Sequence, residues 1–67
     1  MPIIDRDVLE LATFYLERYG SEAFVRAQKL AADLEAEGNA YGHAIWVLVA
    51  RAITEIQRAQ RGDQPLN

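Results

Sequence analysis

The apolar stretch YGHAIWVLVARAITEIQR at residues 41–58 constrains the fold most. At about 100° per residue, a helix places most of its apolar side chains within an arc of roughly 140°. We expect these to face the core: Tyr41, Ile45, Leu48, Val49, Ala52, Ile53, Ile56 and Ala59. Trp46 extends one flank, Val47 lies on the polar side and Ala50 borders that side, so residues 45–50 are apolar almost all round. This belt predicts one contact with the core and another with a partner.

Length and composition favour self-association. The chain has 67 residues, no Cys and a single His. A domain of this size buries only about 60% of its unfolded surface, and such scaffolds usually add disulfides, a metal or oligomerisation. Disulfides are excluded here, and soft metal ligands are lacking. We interpret His43 as a solvated surface side chain, and we expect no catalytic residues, no metal and no cofactor.

The charge pattern limits the choice of partners. The net charge is −3, the isoelectric point is about 4.9 and the seven basic residues are scattered. Nucleic-acid and anionic-membrane binding depend on clustered Lys and Arg, so neither partner is expected. The apolar runs are shorter than the roughly 18–20 residues of a membrane span, and no basic region precedes an apolar one at the N-terminus. We therefore expect a cytoplasmic protein.

Capping signals predict where the helices begin and end. Asp5 is the expected N-cap of the first helix, and Gly20-Ser21 and Gly38-Asn39 each place a helix-ending Gly before a helix-capping residue. These signals predict an all-α, compact three-helix domain over residues 1–60 with short Gly-Ser and Gly-Asn connections. Its helices cover about 5–19, 22–37 and 40–60, and a flexible tail covers 61–67. Gly42 leaves open whether the third helix starts at Ala40 or after Gly42.

The first two helices carry their own core stripes. The first comprises Val8, Leu9, Ala12, Tyr15, Leu16 and Tyr19, and the second comprises Ala23, Phe24, Ala27, Leu30, Ala31 and Leu34. The alanines predict that helix two is flanked tightly by both other helices.

Some apolar residues remain outside the predicted core. Leu11 and Phe14 lie beyond the stripe of the first helix, as Val47 and Ala50 do on the third. A twofold dimer would bury both patches with one repeated contact, and such dimers are the commonest oligomers. The predicted protein interface therefore comprises Leu11, Phe14, Trp46, Val47 and Ala50, and the predicted partner is a second copy of the chain.

The chain also resembles a group of short uncharacterised bacterial proteins, a domain-of-unknown-function family. The resemblance rests on a Tyr-Gly pair before an Ala-rich helix, a Gly-Asn turn and a Trp within an aliphatic helix: Tyr19, Gly20, Ala27, Leu30, Ala31, Gly38, Asn39, Gly42, Trp46, Ala52, Ile53 and Ile56. It implies a bacterial source and a compact helical protein, and it brings no activity.

Three functions are consistent with these features. The leading interpretation is a non-enzymatic protein-interaction or regulatory module that acts as a homodimer, with another protein as a further possible partner. The alternative is a small-molecule sensor that binds an apolar or aromatic ligand among Tyr15, Tyr41 and Trp46. A third is an acidic regulator of a nucleic-acid-binding protein, whose acidic faces mimic phosphate.

Overall fold

The computed structural model describes the backbone of residues 4–60 and the side chains of residues 6–60. This part of the chain is helical almost throughout and contains no strand. Its helices are α1 (Ile4–Tyr19), α2 (Ala23–Ala36) and α3 (Ala40–Gln60). A short 3-10 turn, Gly20–Glu22, joins α1 to α2. The predicted tail at 61–67 lies outside the described residues.

The connection between α1 and α2 differs from the predicted one. Gly20 has the expected left-handed conformation, with φ of 56°, but every residue from Ile4 to Ala36 is helical. The amide of Ala23 bonds to the carbonyl of Gly20, and no side chain caps the start of α2. The prediction that Ser21 is an N-cap is therefore wrong, because the Gly20 carbonyl of the turn already accepts the hydrogen bond of the Ala23 amide. The chain bends here, and α1 and α2 form one long bent helix in place of two separate helices.

An aromatic contact spans this bend. The guanidinium carbon of Arg26 lies 4.3 Å from the ring centroid of Tyr19, the last residue of α1. The same guanidinium lies 3.4 Å from the Glu22 carboxylate. A cation over an aromatic ring is worth about 0.5–1 kcal/mol at an exposed site, so this contact helps to fix the angle between the two arms.

The turn between α2 and α3 agrees with its prediction. Gly38 has φ of 84°, and the amides of Gly38 and Asn39 bond to the carbonyls of Glu35 and Leu34 at 3.0 and 2.9 Å. This is a Schellman ending. The Asn39 side-chain oxygen accepts the Gly42 amide at 2.8 Å, which confirms Asn39 as the N-cap of α3.

The structure shows where Gly42 and Asp5 lie relative to the starts of α3 and α1. α3 begins at Ala40, and Gly42 lies within its first turn, where a built Cβ would come within 3.0 Å of the Asn39 side chain. Gly42 therefore makes room for the cap. At the other end, α1 begins at Ile4. The predicted N-cap Asp5 is thus inside the first turn of α1, and its side chain is not among those described.

The core is built mainly of small side chains. Among residues 6–60, eight side chains are buried and five of these are alanine. The fully buried side chains of largest volume are Ile53 and Val49. The alanines of α2 are those predicted: Ala23, Ala27 and Ala31. They bring α2 close to α3, whereas α2 makes few contacts with α1, so the expected packing of helix two against both neighbours is confirmed on one side only.

The predicted rotation of α3 about its axis is partly wrong. Its buried residues are Val49, Ala50 and Ile53, while Ile45, Leu48, Ala52 and Ile56 are half-buried against this core. Tyr41, predicted in the core, is 73% exposed. Because residues 45–50 are apolar almost all round, periodicity did not determine which side faces inward. In α1, similarly, Leu9 is exposed and Leu11 packs against the core, the reverse of the prediction.

Candidate interaction surface

Large apolar side chains remain on the surface of all three helices. Leu9 and Phe14 on α1 are each 53% exposed, Val25 on α2 is 63% exposed, and Val47 on α3 is 36% exposed. Isolated exposed apolar residues are common in soluble proteins. Here they accompany a core whose fully buried side chains are mostly alanine, with larger apolar side chains half-buried around it.

One exposed surface follows the outer side of α1 and is called the α1 ridge. Phe14 is its centre, and the residues that neighbour Phe14 at helical spacing complete it: Asp7, Glu10, Leu11, Glu17 and Arg18. Asp7, Glu10, Glu17 and Arg18 are exposed, and Leu11 is half-buried. The ring of Phe14 lies 6.2 Å from that of Tyr15 and tilts by 57° from it. The ridge therefore presents one aromatic ring among three carboxylates and one guanidinium.

A second surface is the α2/α3 groove, an open depression of about 610 Å³ between these helices. Both helices contribute apolar and charged side chains to its lining. It is lined by Phe24, Val25, Gln28, Lys29, Ala31, Ala32, Glu35, His43, Val47, Ala50 and Arg51. This volume is within the usual range of binding pockets, about 300–1,000 Å³, but the groove is shallow and has the form of a docking surface.

His43 closes one part of this groove, and its predicted solvated position is wrong. Its Nδ1 lies 2.8 Å from the carbonyl oxygen of Ala31, and the side chain is half-buried. A carbonyl oxygen only accepts, so Nδ1 carries the proton and donates. His43 thus ties the start of α3 to the middle of α2. Its sequence position on a polar side gave no sign of this bond, because the acceptor is a backbone atom twelve residues away.

The structure distributes the five predicted interface residues over two environments. Phe14 and Val47 are exposed, while Leu11 and Trp46 pack against the core. Ala50 is only 4% exposed and belongs to the core, so its predicted place outside the core is wrong. The close approach of α2 buries this small side chain. Phe14 and Val47 lie on the α1 ridge and in the α2/α3 groove, two separate surfaces of the monomer.

Sequence reasoning missed part of the groove. Val25 and Lys29 line it, and neither belongs to the predicted core stripe of the second helix. The available signal was Val25 itself, an apolar β-branched residue among the charged outer residues of that helix. Val25 indicates a groove only when the position of α3 beside α2 is known.

The aromatic residues proposed to hold a ligand are arranged differently. The rings of Tyr15 and Trp46 are 4.9 Å apart and tilted by 55°, and Tyr15 also meets Tyr19 edge-on at 5.0 Å. Rings at this distance are in direct contact, which leaves no space for a ligand between Tyr15 and Trp46. Tyr41 stands exposed at the start of α3. The expected aromatic site is therefore a packed cluster with one exposed outlier.

Other polar side chains that could take part in chemistry already have partners within the chain. The Thr54 hydroxyl donates to the Ala50 carbonyl at 3.2 Å, and the Asp33 carboxylate lies 3.6 Å from the Lys29 ammonium. Within residues 6–60, no group of three or more His, Cys, Asp or Glu side chains is placed to hold a metal ion. None of the helices in the described part is long and apolar enough to cross a membrane.

The comparisons give no relatives. No protein-family model, curated protein or solved structure matches the chain. The resemblance to short bacterial proteins of unknown function remains a prediction, and functional inference rests on the two surfaces.

Proposed function

We propose that this protein is a non-enzymatic protein-interaction module that works as a homodimer in the bacterial cytoplasm. One observation carries the proposal: the chain buries mainly alanine in its own core and leaves larger apolar side chains, above all Phe14, at its surface. Its role would be to bind a second copy first and, as a dimer, another protein.

The energetic argument rests on side-chain size. Full burial of a large apolar side chain contributes about 1.5–3 kcal/mol relative to exposure, and alanine contributes much less because it has little area to bury. Native domains are stable by only about 5–15 kcal/mol. Phe14, Val25 and Val47 are 53%, 63% and 36% exposed, so their burial at an interface would contribute roughly half of the value for full burial each, which is still a sizeable fraction of the stability of so small a chain.

The two other functions have weaker support. A sensor built on Tyr15, Tyr41 and Trp46 lacks a shared cavity, because two of the rings are in contact and the third is exposed. An acidic regulator is consistent with the net charge of −3. However, the exposed carboxylates Glu22, Asp33 and Glu55 pair with cations of their own helices, which weakens any likeness to a phosphate row.

Sedimentation velocity tests the homodimer. We expect the wild-type chain to sediment as a dimer at micromolar concentration and Phe14→Glu to sediment as a monomer, because a carboxylate replaces the apolar ring at the interface. Leu9→Glu is the matched control, since Leu9 has the same exposure on the same helix but lies about 140° round its axis from Phe14. A wild-type monomer at high micromolar concentration would refute the homodimer.

A further inference from the structure

We propose that the α1 ridge of each copy docks into the α2/α3 groove of the other, so that two identical ridge-in-groove contacts hold the dimer. This inference rests on the proposed homodimer and adds which surfaces meet. It assigns the occupant of the groove as the Phe14 side of α1 from a second copy of the chain.

The two surfaces match in chemistry. The ridge offers a Phe14 ring with about half of its surface in water. The groove offers exposed Val25 and Val47 beside Phe24, Ala32 and the buried Ala31. A fully enclosed aromatic side chain buries about 150–250 Å², so the half of Phe14 that is still exposed would remove about 75–130 Å² from water on entering such a surface. Aromatic anchors in apolar pockets are the usual centres of binding energy at protein interfaces.

The charges of the two surfaces are complementary. The ridge carries Asp7, Glu10 and Glu17 against the single cation Arg18. The groove carries Lys29 and Arg51 beside the carboxylate Glu35, and Lys29 also lies 3.6 Å from the Asp33 carboxylate of its own helix. The groove is thus close to neutral on a chain whose net charge is −3, and Arg51 is the cation most available to the ridge carboxylates. Opposite charges round an apolar centre fix the register of a contact and disfavour ridge-to-ridge pairing, where carboxylates would face one another.

Within the part of the chain that the structure describes, α1 does not fill the groove of its own copy. All the residues that line the groove come from α2 and α3, and none comes from α1. Phe14 is exposed at the same time, so the two surfaces are open in one molecule. A twofold axis makes the ridge of one copy meet the groove of the other and repeats that contact in reverse. The assembly then closes as a dimer, and any further protein would bind outside these two surfaces.

Charge reversal of exposed residues tests this pairing without disturbing the core. One variant carries Glu10→Lys and Glu17→Lys on the ridge, and another carries Lys29→Glu and Arg51→Glu in the groove. In each variant alone, both contacts place like charges together, and we expect the dimer dissociation constant to rise at least tenfold. When the two variants are mixed, one contact has the wild-type charges and the other has both signs reversed. Both contacts are then complementary, and the heterodimer should bind within a few fold of wild type.

An apolar pair supplies an independent test. Phe14→Glu places a carboxylate at the centre of the ridge, and Val47→Glu places one in the groove. Neither variant can therefore form an intact contact with a second copy of itself. The mixture keeps one, between the groove of the first variant and the ridge of the second. Native mass spectrometry separates the heterodimer by mass, and we expect it to bind at least tenfold more tightly than either homodimer. Circular dichroism reports folding: where a variant is unfolded alone, the mixture should regain helical signal. Leu9→Glu should leave the dimer unchanged.

The outcomes separate the two proposals. A monomeric wild-type chain refutes the homodimer and, with it, this inference. A dimeric wild-type chain whose variants fail to complement each other overturns the ridge-in-groove pairing and leaves the homodimer in place. Val47→Glu without effect on a dimer that Phe14→Glu dissociates would also overturn it, because the ridges would then pair elsewhere and the groove would be open to a foreign protein.

Discussion

Ile53 and Val49 are the bulkiest of the fully buried side chains. The other buried residues are mostly alanines, and larger apolar side chains are half-buried around them. Because so few large side chains are fully buried, the core has little redundancy. The loss of one branched side chain therefore removes a substantial part of the apolar volume that holds α3 against α1 and α2.

Ile53→Ala should lower the free energy of unfolding by about 2–5 kcal/mol, the usual cost of truncating a buried aliphatic side chain. Ile45→Ala is the matched control, because Ile45 is on the same helix but half-buried, and its loss should cost roughly half as much. Urea denaturation at low micromolar concentration measures both. Equal losses would show that the inward side of α3 is centred on Ile45.

Single residues also show where sequence reasoning succeeds. Gly38 and Asn39 were predictable because a left-handed C′ residue and an N-cap are local requirements that few residue types meet. His43 was not predictable, since its partner is a backbone carbonyl of another helix. Ala50 was not predictable either, because a small apolar residue suits both a surface and a close helix contact.

At the scale of helices, the bend at Gly20 determines how α1 and α2 each pack against α3. The positive φ of Gly20 lets the helix change direction while its hydrogen bonding continues through the 3-10 turn. As a result α1 packs against α3 and makes few contacts with α2. The Gly-Ser signal identified the position of the bend correctly, but the residue types alone did not distinguish a bend from a full reversal.

Gly20→Ala should destabilise the fold by about 1–2 kcal/mol, the cost of a left-handed conformation for a residue with a Cβ. The cost is purely conformational, because a built Cβ at Gly20 meets nothing within 4 Å. Gly20→Asn should cost less, since Asn tolerates this conformation better. Thermal unfolding followed by circular dichroism compares the two. An alanine variant as stable as the wild type would indicate that the bend straightens readily into one continuous helix.

The inward side of α3 was the element-scale feature that periodicity predicted least well. A helix with one apolar side has only one orientation that buries that side. Residues 45–50 are apolar almost all round, so several orientations of α3 would bury apolar side chains. Ala50 joins Val49 and Ile53 in the core beside the alanines of α2, and Ile45 and Leu48 are half-buried. The predicted surplus of apolar surface is present, but at partly different residues.

At the scale of the whole molecule, the proposed homodimer predicts a chain whose stability depends on association, because the α1 ridge and the α2/α3 groove would both be covered only in the dimer. A ligand that binds only the folded state stabilises it by mass action, and in a homodimer that ligand is the protein itself. The dimer surfaces and the fold are then parts of one equilibrium, and a variant that weakens the interface also lowers the melting temperature.

The melting temperature measured over about a hundredfold range of protein concentration tests this claim most directly. For a domain of this size, coupled folding and dimerisation predict a rise of about 3–5 °C for each tenfold increase in concentration. Phe14→Glu should abolish the dependence, and Leu9→Glu should retain it. A wild-type melting temperature that is constant across the whole range would contradict the account, because it would show that the alanine core alone sustains the fold.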